Sequence, residues 1–174
     1  MESWGAPLYG DPCTQCAWSW PADAAVNIGY VRDVPDRYGR LLIARTGTER
    51  HPQLGWSVTG YVCHVADNLR QWAERVAGVL RGADPRIGGY DPEALAAARG
   101  YEQMSLAGAL WSLERSATAW VQVLGEAVDT GVVLRHPTRG EQRATDVASN
   151  NAHDAHHHAW DIERTLASGT GPVG

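Results

Sequence analysis

Leu106, Leu110, Leu113, Ala117, Trp120, Leu124 and Val128 recur every three or four residues, and this stripe constrains the fold more than any other feature of the chain. Apolar residues at that period line one face of an α-helix, and the face must be buried against other elements. Ser105 stands where an N-cap belongs, and Asp129-Thr130-Gly131 stops the pattern. A second stripe (Val58, Tyr61, Val65, Leu69, Trp72, Val76, Leu80) follows Ser57 and ends at Gly82. Pro21 opens another helix through Ala25, Ile28 and Val31. Pro35 is expected to interrupt it before a further piece carrying Tyr38, Leu41 and Leu42. Thr145-Asp146 starts a fourth long helix, which Gly169 and Gly171-Pro172 finish. Pro92 to Arg99 is a short helix at best. Residues 132–143 read as a loop over the bundle, because His136-Pro137 and Gly140 break an otherwise extended pattern. Four long amphipathic helices and no strand pair predict an all-α four-helix bundle. The expected divisions are an irregular N-terminal segment 1–20, the bundle over 21–168 and a tail at 169–174.

Composition narrows the functional classes. The 174 residues suit one compact domain, and a net charge of −5 without a basic cluster argues against a nucleic-acid surface. No apolar run approaches the roughly 20 residues of a membrane span, and no basic-then-apolar leader opens the sequence. The odd count of 3 cysteines argues against a secreted disulfide framework, so a cytoplasmic location is expected. Every basic residue is Arg and Phe is absent, a bias typical of a GC-rich genome.

Four of the 7 histidines fall between residues 153 and 158. On a helix, His153 and His157 stand one turn apart on one face, and two imidazoles at i and i+4 can close on one cation. His158 points away from that pair and His156 sits on its flank. Bundles build metal sites from facing helices, and His64, at the edge of the second stripe, is expected to face inward as the third ligand. Three histidines leave positions open on the cation, the arrangement of a catalytic site. Asp154 and Asp161 can orient imidazole N–H groups from behind the ligands. Asn68, Asn150 and Trp160 are the candidates to line a pocket, although core packing is the stronger reading of Trp160.

Trp56-Ser57, then His64, then a late helix with His153 and His157, resembles the DinB-like superfamily, which includes bacillithiol transferases and the N-terminal domain of mycothiol-dependent maleylpyruvate isomerase. The resemblance runs roughly from Pro21 to Leu166 in helix order and spacing. It implies a divalent metal, zinc or nickel, on His64, His153 and His157. It also implies a small-molecule substrate with a low-molecular-weight thiol of the mycothiol type as co-substrate, activated as thiolate for attack on an electrophile. The alternatives are a metal-dependent amide hydrolase and a non-catalytic metal- or ligand-binding protein; a homodimer is compatible with all three. The extra histidines 156 and 158 depart from the family pattern. So does Cys13-Thr14-Gln15-Cys16, which is associated with an actinobacterial branch. Cys13 and Cys16 fit half of a second metal site, with Cys63, His51 or His136 as further candidates. They also fit a reversible disulfide, or thiols with neither role. Cys63 is expected to be buried and inert.

Overall fold

A computed structural model describes residues 4–168, so the expected tail at 169–174 lies outside the described residues. Its elements in chain order are α1 (Ala6–Tyr9), α2 (Ala24–Leu41), α3 (Val58–Leu80), α4 (Pro92–Arg99), a 3-10 turn (Tyr101–Gln103), α5 (Leu106–Thr130), β1 (Val133–His136), β2 (Gly140–Arg143) and α6 (Ala144–Ser168). The four long helices form the bundle. α5 packs on α3 and α2, and α6 packs on the same two helices from the other side, so α2 and α3, although consecutive, sit diagonally. Ser57 Oγ accepts from Gly60 N and Ser105 Oγ from Gly108 N, which caps α3 and α5 where the sequence places their starts.

Two local expectations are corrected. α2 runs unbroken through Pro35. A proline inside a helix removes one hydrogen bond, but Val31, Val34 and Tyr38 on either side are fully buried on one face, and that packing holds the helix together. Tyr38 also donates its hydroxyl to the Ala155 carbonyl of α6 at 2.8 Å. The second correction concerns residues 132–143, which form an antiparallel hairpin with Val133 opposite Arg143 and His136 opposite Gly140. Pro137 and Gly140, read as breakers, make the turn instead, Gly140 with φ of 75°. Leu134 and Gln142 face each other on the buried side.

The inward face of α6 is marked by Ala148, Ala152, Ala155 and Ile162, all fully buried. At about 100° per residue, Asn151, Asp154 and His158 lie on the flank turned toward α3, and His156 lies on the flank turned toward α2. His153 and His157 lie on the back. They are shielded because the N-terminal segment folds over them: Tyr9 and Trp20 stack on His153 with ring centres 4.7 and 4.5 Å away. Asn151 accepts the Trp120 indole N–H at 2.8 Å, pairing the one polar atom of the largest fully buried side chain. Among the described residues, no helix is long and apolar enough to cross a membrane.

Candidate functional site

Helix α3 delivers His64 into the bundle. Residues 58–69 of that helix are all buried, and His64 is 7% exposed. Trp56 lies over its ring at 4.9 Å, and it can do so because a Cβ at Gly60 would meet the Trp56 side chain at 2.8 Å. His64 Nε2 faces Asp154 Oδ1 at 3.7 Å, and His158 Nε2 faces the same oxygen at 3.6 Å. Both separations are too long for hydrogen bonds. They are close to the roughly 3.4 Å expected between donors sharing a tetrahedral cation at about 2.1 Å.

The groups behind these three fix their orientation. His158 Nδ1 donates to Asp161 Oδ2 at 3.0 Å, which leaves Nε2 directed at Asp154. Arg164 holds the other Asp161 oxygen at 2.8 Å. Asn68 Nδ2 donates to Asp154 Oδ2 at 2.8 Å, and Tyr90 donates its hydroxyl to Asn68 Oδ1 at 3.3 Å. Burial works against a charge on His158, but Asp154 and Asp161 outweigh it and hold the imidazole up at about 9. Burial would likewise raise the Asp154 carboxyl, yet His158 and His64 hold it well below the usual carboxylate range.

A second group lies on the back of α6. One donor atom from each of Cys13, Cys16, His153 and His157 falls within 4.8 Å of the others. The three histidines expected on one cation are thus divided: His64 groups with Asp154 and His158, while His153 and His157 group with the cysteines. Cys63, His51 and His136 do not join Cys13 and Cys16 in that group, and all three cysteines are free thiols. Cys63 is buried, and its burial pushes the thiol up to about 11. Burial, reinforced by His157, pushes the His153 imidazole down to about 4.

His64 and Asp154 open onto a cavity of about 760 Å³ between α3, α6, the hairpin and the N-terminal segment. Asn68 and Asn150 are in its wall; Trp160 is not, and instead stacks on His157 at 5.4 Å beneath Arg164. Arg75, Tyr90 and Arg139 line the cavity and carry no signal in helical spacing. The Asp67 carboxylate is locked by Tyr101 at 2.8 Å and Arg99 at 2.6 Å, and Glu163 is exposed, so neither is free to act as a base at this site. Asp154 and His158 are at i and i+4, the spacing of His153 and His157 shifted by one residue. That repetition is the signal in the sequence for the first group.

The family model of the DinB superfamily matches residues 20–161. The chain belongs to the DinB superfamily. Among solved structures, this DinB protein is similar to YfiT from Bacillus subtilis, described as a probable metal-dependent hydrolase with an unusual four-helix bundle topology. The two are 21% identical, with a TM-score of 0.69 over 83% of this chain and 87% of YfiT, a likeness of fold. None of the curated proteins matches the chain significantly.

Proposed function

We propose that this DinB protein is a metal-dependent hydrolase whose cation is held by His64, Asp154 and His158 at the edge of the 760 Å³ cavity. The observation that carries this reading is the pair of imidazole Nε2 atoms 3.6 and 3.7 Å from one Asp154 oxygen. Zinc or nickel in such a set supplies Lewis-acid activation of water at neutral pH and polarisation of a carbonyl. Asp161 and Asn68 hold the His158 ring and the Asp154 carboxylate in place, so that little reorganisation is needed. Trp56 covers the His64 ring, and Trp72 adds an apolar surface to the cavity wall.

Hydrolysis is favoured over thiol transfer because Asp154 adds a hard oxygen donor, which makes the cation less selective for sulfur. The description of YfiT supports the same preference, by analogy of fold. The cavity is also roomy enough for a mycothiol-type thiol, and that keeps transfer as the second reading.

The cavity indicates what kind of substrate would fit. Among the described residues neither Arg75 nor Arg139 has a carboxylate partner, and Arg139 Nε is buried without a hydrogen bond. Two guanidinium groups without a carboxylate partner in one wall, that of Arg75 set against the Trp72 and Tyr90 rings, suit an anionic substituent on the substrate. Zinc- or nickel-loaded protein should therefore hydrolyse carboxylate-bearing amides or esters faster than their neutral analogues. Arg139→Gln is expected to raise KM for the anionic members about 10–100-fold, the worth of one charge-assisted hydrogen bond, with kcat nearly unchanged. Absence of hydrolysis across the panel, together with conjugation of a small thiol to an electrophile, would put the transferase reading first.

A further inference from the structure

We propose that Cys13, Cys16, His153 and His157 form a separate, structural zinc site that fastens the N-terminal segment to α6 and so builds one wall of the cavity. The chain supplies two sulfurs and two imidazole nitrogens, the donor set of a closed tetrahedral zinc. Each pair comes from a compact local spacing, Cys-x-x-Cys in a turn and His-x-x-x-His along a helix. Cys13, Cys16 and His153 are only 2%, 7% and 4% exposed and the His157 side chain 17%, and four protein donors would complete a tetrahedral shell.

An independent observation points to a ligand here. His153 Nε2 and His157 Nδ1 are both buried without a hydrogen-bond partner. A buried polar atom left unpaired forfeits its hydration without return, and two such atoms in one pocket with two free thiols call for a common partner. A disulfide would satisfy the sulfurs and leave both nitrogens orphaned.

The backbone around the cysteines is shaped as a cradle. Ala17 N donates to Cys13 O at 2.9 Å and Cys13 N to Trp18 O at 2.7 Å, with Ala17 at φ of 58° turning the chain back. His156 clamps the turn from α6, its Nε2 donating to the Cys16 carbonyl at 3.0 Å while its Nδ1 accepts from the Tyr30 hydroxyl at 3.1 Å. Trp4, Gly5, Leu8 and Tyr9 line the cavity, and all of them precede Cys13 in the chain. Without the ion, the burial of that short segment rests on aromatic stacking and a few hydrogen bonds. With it, the cavity wall is pinned.

This site does not depend on the hydrolase reading, and the test separates the two. Full-length protein stripped of metal and reloaded with cobalt is expected to show tetrahedral ligand-field absorption and a near-ultraviolet sulfur-to-cobalt band. Cys13→Ser should abolish that band and remove one equivalent of metal. Asp154→Ala should keep the band and lose the other equivalent; failure of that arm alone would affect only the hydrolase site. Chelation of the wild type should speed proteolytic cleavage within residues 4–20 at least about tenfold, because local opening then needs no metal release. This readout also covers the case in which Cys13→Ser does not fold. A cobalt protein without the sulfur band, or equal cleavage rates with and without zinc, would overturn the proposal.

Discussion

Asp154→Ala and His158→Ala are each expected to remove one equivalent of metal and to lower hydrolytic turnover by well over a hundredfold. Partners behind a ligand typically carry 10–100-fold, and a ligand itself exceeds them. Asp154 is the more severe case, because its Oδ1 faces both imidazoles and its loss leaves His64 and His158 with nothing between them. Asn68→Ala, which frees Asp154 Oδ2 without touching the cation, should fall within the 10–100-fold range and restore partly with excess metal. His157→Ala provides the contrast. It sits one residue from His158 on the same helix, yet it should leave the hydrolytic metal bound and act only through the N-terminal wall. Elemental analysis and turnover on the same preparations separate these outcomes. Equal metal loss in His157→Ala and His158→Ala would show that the two registers of α6 are not distinct sites.

In metal-free protein, raising the pH from 6.5 to 9 is expected to cost stability on the order of 3 kcal/mol, chiefly through His158. Its folded pKa, about 9, lies above its ordinary value of 6.5, so the folded state binds the proton more tightly than the unfolded state does. The sign follows: the stabilisation is complete below about pH 6.5 and is lost as the pH rises through 9. The groups facing this imidazole are Asp154, Asp161, His64, His157 and the Tyr61 ring. A bound cation replaces the proton between His158 and Asp154, so zinc uptake at pH 7 should release about one proton from this group and flatten the alkaline limb. Urea unfolding of chelated protein at the two pH values tests the loss, with His158→Gln as the control expected to show little of it. A flat profile in chelated wild type would mean that the carboxylates do not hold the charge.

The bundle is legible in the sequence because apolar residues recur at helical period in α2, α3 and α5, and Ser57 and Ser105 mark where α3 and α5 start. Helix pairing is not, since the same stripes allow α2 to neighbour α3 or to sit diagonal to it. The hairpin hides behind Pro137 and Gly140, which are turn residues here and would be breakers elsewhere. His64 is legible from its position at the edge of a buried stripe. The register of the histidine helix is harder. His153 with His157, and Asp154 with His158, have the same spacing, and helical geometry alone ranks neither pair. What separates them is tertiary: Ala148, Ala152, Ala155 and Ile162 set the inward face, which turns Asp154 and His158 toward α3. His153 and His157 then face outward and would be solvated on a bare bundle. Only the folded-over segment carrying Cys13 and Cys16 buries them, and no periodicity in residues 1–20 announces that contact. Arg75 and Arg139 reach the cavity from separate elements, so their convergence is likewise a property of the fold.

Anomalous diffraction at the zinc edge, from crystals of the zinc-loaded protein, addresses the proposed hydrolytic site directly. The expected map places a peak at about 2.1 Å from His64 Nε2, His158 Nε2 and an Asp154 oxygen, separate from any peak among Cys13, Cys16, His153 and His157. A single peak bonded to His64, His153 and His157, with Asp154 and His158 left uncoordinated, would contradict it.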